Sequence, residues 1–95
     1  MKTLILTLKT QWYNLIASGE KKEEYREIKD YWRKRLFQGD EPIKYDRVVF
    51  YLGYSKGRPS MAFKIEDIHI GHGKPEWGAK PGEEYFVISL GNRED

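Results

Sequence analysis

Between Ser60 and Ile70 the apolar positions change parity. Met61, Phe63 and Ile65 alternate with Ala62, Lys64 and Glu66 at the period of two expected of a strand, and then Ile68 and Ile70 take over the apolar role from the opposite parity. A straight strand would send the two sets to opposite faces. The switch therefore predicts a bulge or bend, the device by which a sheet curls toward a barrel.

The other strand signals agree with a small curled sheet. Thr3 to Lys9 alternates Thr3, Ile5 and Thr7 against Leu4, Leu6 and Leu8, the pattern of a strand with one face on a core. Asp46 to Tyr54 holds the run Val48, Val49, Phe50, Tyr51 and Leu52, which reads as a buried strand. Glu84 to Leu90 sets Tyr85, Val87 and Ser89 against Phe86, Ile88 and Leu90 as a closing strand. A first helix follows Thr10, whose hydroxyl is placed to cap it, with Trp12, Leu15 and Ile16 at helical spacing and Gly19 as its stop. A second helix follows a cap at Asp30, carries Trp32 and Leu36 four apart, and ends at Gly39. Gly71 to Gly82, with four glycines and two prolines, reads as a loop long enough to be functional. Five strands, two early helices and glycine-rich turns predict an α+β fold, a small barrel.

Ninety-five residues without a cysteine must be held together by packing, with no disulfide or thiolate chemistry available. Three Trp, seven Tyr and four Phe supply much of that packing and leave some rings for a binding surface. One domain is expected over residues 1–91, with 92–95 as a flexible tail. The apolar stretch near Met1 is too short for a membrane span, so the chain is read as soluble and cytoplasmic, with no membrane partner. The net charge of +2 is unevenly spread: residues 1 to 60 hold 13 Lys or Arg against 8 Asp or Glu, and residues 61 to 95 hold 4 against 7. A basic half suits a nucleic-acid or nucleotide partner, and equally a solvated face.

The densest charge lies at Gly19 to Glu27. If Lys22 to Ile28 is extended, Glu24 and Arg26 project from one side and Glu23, Tyr25 and Glu27 from the other. Arg26 then offers a planar fork to a phosphate or base edge, and Glu24 accepts from an amino group such as that of cytosine or guanine. The plain alternative is that Glu24 and Arg26 pair with each other across a barrel mouth. Lys21 acts as nucleophile or base only with a lowered pKa, whereas an ion pair with Glu24 keeps it structural.

The spacing Gly19-x-Lys21-x-x-Glu24-x-Arg26, after a strand and an amphipathic helix, resembles the GxKxxExR signature of the ASCH domain family in the PUA-like superfamily. The resemblance covers roughly Met1 to Leu90, the second half by layout rather than motif. It implies a PUA-like β-barrel with a cleft beside the signature that takes RNA or a modified nucleoside. The family includes RNA-binding and coactivator modules, proteins with ribonuclease activity and amidohydrolases that deacetylate acetylated cytidine. Those amidohydrolases use the signature lysine, a threonine three positions on and a downstream glutamate. Here Lys21 is kept, Glu24 stands in the threonine position, and Glu76 in the glycine-rich loop is the candidate for the third. Losing the hydroxyl shifts the expectation from chemistry toward binding.

The candidate ligand-binding residues are thus Lys9, Lys21, Glu24, Arg26, Tyr54, Arg58 and Trp77, with Lys21, Glu24 and Glu76 as the catalytic set of a hydrolase. Tyr54 and Trp77 lie in or beside loops, where a ring is free to stack on a base; Tyr25 and Trp32 read as core. Lys9, Arg33, Arg35, Lys56 and Arg58 are placed to neutralise phosphates. His69 and His72 sit where a strand runs into a loop, so their spacing does not bring them together on a metal. No cofactor is expected.

Overall fold

A computed structural model describes residues 1–95 throughout. β1 (Thr3–Leu8) buries Leu4, Leu6 and Leu8 as the alternation predicts. α1 (Thr10–Ala17) follows, and Gly19, at φ +86, turns the chain away from it. Only glycine adopts that left-handed backbone without strain. Thr10 is the first helical residue rather than the cap: Lys9 holds the cap position, with no side-chain bond.

β2 (Glu23–Glu27) is extended, and α2 (Asp30–Leu36) comes after it. Asp30 lies inside the first turn of α2, and Lys29 occupies the cap position without a side-chain bond. The helix ends before Gly39. Phe37 and Gln38 form β3 (Phe37–Gln38), which pairs with β4 (Glu41–Pro42), and Gly39 at φ +64 belongs to the hairpin turn between them.

β5 (Arg47–Leu52), β6 (Ser60–His72) and β7 (Glu84–Arg93) complete a five-stranded sheet in the order β1-β5-β6-β7-β2. Only β1 and β5 run parallel. The architecture is α+β: two helices and a curled mixed sheet that forms a half-barrel. No helix is long and apolar enough to cross a membrane.

The parity change is a real irregularity in the ladder. The β6–β7 register shifts between Phe63 and Ile65 and again between Ile65 and Asp67, after which Asp67 to His72 pair regularly with Ser89 to Glu84. Met61, Phe63 and Ile65 are buried, and so is Ile68 past the second shift, whereas Ile70 is 40% exposed. The irregularity therefore carries the core-facing set across the change of parity only as far as Ile68. β7 is then covered on both faces. Phe86, Ile88 and Leu90 join the main core, and Tyr85 and Val87 form a second small core with Ala79 and the half-buried Tyr25.

The end of the chain is held where a flexible tail was expected from residue 92. Arg93 pairs opposite Phe63, the Glu94 amide donates to the Ala62 carbonyl, and the Asp95 carboxylate accepts from the Ala62 amide at 3.2 Å. Sequence patterning misses this because the partners are backbone groups more than thirty residues away. The Arg93 guanidinium, 2.8 Å from Asp95, and that amide together hold the Asp95 carboxyl down at about 2. The contribution is therefore present above the ordinary 3.8 and is lost as pH falls through about 2. Carbon-detected NMR is expected to place the Asp95 midpoint near 2, with the Ala62 amide shift following it; a midpoint at 3.8 or above would mean an unpaired tail.

Candidate functional site

β1 and β2 are the two edges of the sheet and face each other across an open seam. The Lys2 and Leu8 carbonyls accept from Asp46 and Gly53, on the β5 side, so the even positions of β1 point that way. The odd positions, Thr3, Ile5 and Thr7, present their backbone groups to the seam. A guanidinium takes the place of a sixth strand there: Arg26 Nη2 donates to the Thr7 carbonyl at 3.1 Å.

The turn at Gly19 sets the arrangement up. Past it, the Lys21 amide donates to the Leu15 carbonyl, which pins the start of the strand against the end of α1. Lys21 is then only 2% exposed and Glu24 7%. The Glu24 carboxylate bridges two cations, with Oε1 3.2 Å from Lys21 Nζ and Oε2 2.7 Å from Arg26 Nη2. Glu24 and Arg26 do pair with each other, the plainer of the two readings of their shared side.

Lys21 is enclosed on its other sides. Its Nζ donates to the Trp77 carbonyl at 2.9 Å and lies 4.7 Å from the Tyr25 ring centroid and 5.3 Å from that of Trp12. Burial pushes the Lys21 ammonium below 10.5; the Glu24 carboxylate pulls the other way without cancelling it. The loop supplying Trp77 is seated by a further contact, because the Lys74 amide donates to the Tyr25 hydroxyl at 2.9 Å and that hydroxyl donates to Glu23 Oε1 at 2.7 Å. Burial, with Glu23 nearby, raises the Tyr25 phenol well above its ordinary value.

The seam opens into a cavity of about 910 Å³. Trp12, Trp32, Trp77 and Tyr54 supply aromatic walls, and Glu24 and Arg26 lie in the lining. Arg26 is 4.8 Å from the Trp32 centroid. Its Nε–H is buried with no acceptor in the chain, a deficit of about 1–3 kcal/mol. Aromatic walls set with fixed charged groups can hold and orient a small molecule.

Of the residues singled out in the sequence, Lys9, Glu24, Arg26, Tyr54 and Trp77 line the cavity. Lys21 stands behind the wall, against the lining residues Glu24, Trp77, Trp12 and Tyr25. Two others are not gathered there. Arg58 lies 4.2 Å from the Tyr51 ring and donates to the Gly53 carbonyl, so it braces the turn after β5. Glu76 is exposed on the short 3-10 turn Pro75–Trp77, outside the cavity wall.

Trp12 and Trp32, which the spacing assigned to packing, both line the cavity, and Trp32 packs against the main core as well. In α1 it is Tyr13 and Ile16 that are buried, a face rotated by one position from the Trp12-Leu15-Ile16 stripe, which frees Trp12 for the cavity. The usable signal was three tryptophans in a short chain with one core. No three His, Asp or Glu side chains gather as a metal-holding group; His69 Nδ1 lies 2.7 Å from Asp67 Oδ2. No protein-family model matches the chain, and neither does any curated protein.

Removing the shared carboxylate leaves the buried Lys21 and the half-buried Arg26 without a counter-charge. Glu24→Ala is expected to destabilise the fold by about 3–5 kcal/mol in urea unfolding. The Lys21→Met, Glu24→Ala double variant should lose much less than the sum of the single changes, because the two residues share one interaction. Lys21 has its own pH signature. Between its lowered folded pKa and 10.5 the unfolded chain binds the extra proton, so the wild type gains stability relative to Lys21→Met as pH rises through that window. A flat difference would mean an unshifted lysine.

Proposed function

We propose that this chain is an ASCH-type module that binds RNA or a modified nucleoside by its base, held in the cavity at the β1–β2 seam. The observation that carries the reading is the Glu24–Arg26 pair set among aromatic rings. A nucleobase is flat, so it stacks on Trp12, Trp32 or Trp77, at about 1–3 kcal/mol per base. Its edge carries acceptors beside an amino donor, which complement a guanidinium next to a carboxylate. Arg26 supplies N–H donors to a ring nitrogen or carbonyl, and Glu24 accepts from the exocyclic amine. Cytosine and guanine fit this order of groups. A cavity of about 910 Å³ has room for a nucleoside.

Lys21 acts in this reading as a clamp. It holds Glu24 in position from behind and ties the Trp77 backbone to the site. A hydrolytic reading with Lys21, Glu24 and Glu76 as the reacting set has less support, since Lys21 is covered and Glu76 stands off the cavity.

Tryptophan fluorescence titrated with cytidine, guanosine, acetylated cytidine and short single-stranded RNAs tests the proposal. Saturable quenching is expected with at least one of them, and Arg26→Lys should weaken it about tenfold or more, because an ammonium keeps the charge and loses the planar fork. No quenching by any of these ligands at low salt would sink the reading, as would undiminished binding by a folded Arg26→Lys variant.

A further inference from the structure

A second pocket of about 680 Å³ lies against the first and shares Thr7, Arg26, Trp32 and Tyr54 with it. Its charge is of a different kind. The first cavity is balanced, with Lys9, Arg26 and Lys80 against Glu24, Glu27 and Glu83. The second is lined by Arg26, Lys29 and Arg35 and by no carboxylate. We infer that this second pocket is a phosphate subsite, so that the ligand of the seam is a base linked to a phosphate rather than a free nucleoside.

Arg26 is paired with Glu24, and the partners of the other two cations leave their charge available. Arg35 finds only neutral acceptors, the Tyr31 hydroxyl at 3.2 Å and the Ile5 carbonyl at 3.5 Å. It is held in place all the same, 5.5 Å from the Tyr31 ring centroid and 5.6 Å from that of Trp32. Trp32 is therefore approached by two guanidiniums, Arg26 and Arg35. Lys29 has one carboxylate within reach, Glu27 at 3.9 Å, and both side chains are more than half exposed. Three cations gathered in one concavity, of which Arg35 has no carboxylate partner, Lys29 a loose and exposed one and Arg26 the Glu24 carboxylate, raise the local concentration of anions. Guanidiniums match the oxygens of a phosphate in spacing and geometry.

The shared wall fixes what the anion is attached to. A base stacked in the first cavity against Trp32 has its sugar at the seam, and the next group along the ligand enters the second pocket beside Arg26 and Arg35. A nucleoside monophosphate and a phosphodiester in a single strand share this chemistry. Tyr31, 57% exposed, and Tyr54, 86% exposed, flank the second pocket as open rings for the neighbouring base of a strand. This rests on the base-binding reading of the first cavity, but the anion site has its own test.

Cytidine and guanosine are compared with their 3′- and 5′-monophosphates, with the dinucleotides CpC and GpG, and with pyrophosphate alone. Binding is followed by tryptophan fluorescence and by the Trp32 indole N–H signal. Phosphate-bearing ligands are expected to bind about tenfold tighter than the nucleosides, and Lys29→Glu with Arg35→Gln to remove that advantage. Dinucleotides exceeding monophosphates would assign the site to a strand, and the reverse order to a mononucleotide; both support a phosphate subsite. Equal binding with and without phosphate would overturn it, as would an advantage that survives the double variant. If no nucleoside binds, the base reading falls, and pyrophosphate decides: a Trp32 shift abolished by Lys29→Glu supports the subsite, and no shift overturns it. Lys29→Glu alone alters an exposed side chain and leaves the Arg35 stack in place, so it serves if the double variant fails to fold.

Discussion

One carboxylate holds the two halves of the seam in register. Glu24 lies between Lys21, at the end of the α1 turn, and Arg26, whose other bond reaches the edge of β1. A five-stranded sheet with β1 and β2 at its margins would otherwise show two rows of unpaired backbone groups to each other or to solvent. The chain answers the problem with guanidiniums. Arg26 occupies the Thr7 carbonyl and Arg35 approaches that of Ile5, so the edge of β1 is capped by side chains from β2 and α2. A sixth strand would have filled the seam. Two arginines satisfy its carbonyls and leave it hollow, which is why closure and cavity arise from the same residues.

The loop after β6 depends on that network too. Gly73 passes so close to Tyr25 that a Cβ there would stand 2.6 Å from the ring, and at Gly78 a Cβ would stand 2.9 Å from Trp12. Glycine at these points lets the backbone press down on the two rings that flank Lys21. The bond from Lys21 to the Trp77 carbonyl then fastens the loop. The buried lysine is in this sense a joint between a strand and a loop, and its enclosure follows from that position: the groups that hold it are the groups that cover it.

The fold was legible where local pattern and tertiary demand coincide. Leu4, Leu6 and Leu8, the parity change near Ile65 and the shared side of Glu24 and Arg26 are each set by the period of a strand, and all three survive folding. The places where pattern misled are those settled by a distant partner. Asp95 is held by Ala62, and Gly39 serves a two-residue hairpin that no periodicity marks. Arg58 looked free as a charge in a turn, yet its own turn uses it, through Tyr51 and Gly53. Trp12 and Trp32 show the deeper ambiguity: an aromatic ring beside a core and one beside a ligand need the same apolar neighbours, so spacing alone does not separate them.

Arg26 belongs to both pockets, and that makes their contents interdependent. Its Nη2 is committed to Glu24 and Thr7, while Nε lacks an acceptor and the ring of Trp32 covers one face. In the proposed reading, an anion in the second pocket would compete with Glu24 for the guanidinium, and the carboxylate would then have Lys21 as its remaining cation within the chain. Glu24 would gain lone pairs for an amino group as the phosphate is engaged. A ligand carrying both groups therefore finds each one's partner improved by the other, whereas either group alone must compete with an ion pair already made. The two pockets would work as one site in this reading because a single arginine lines both.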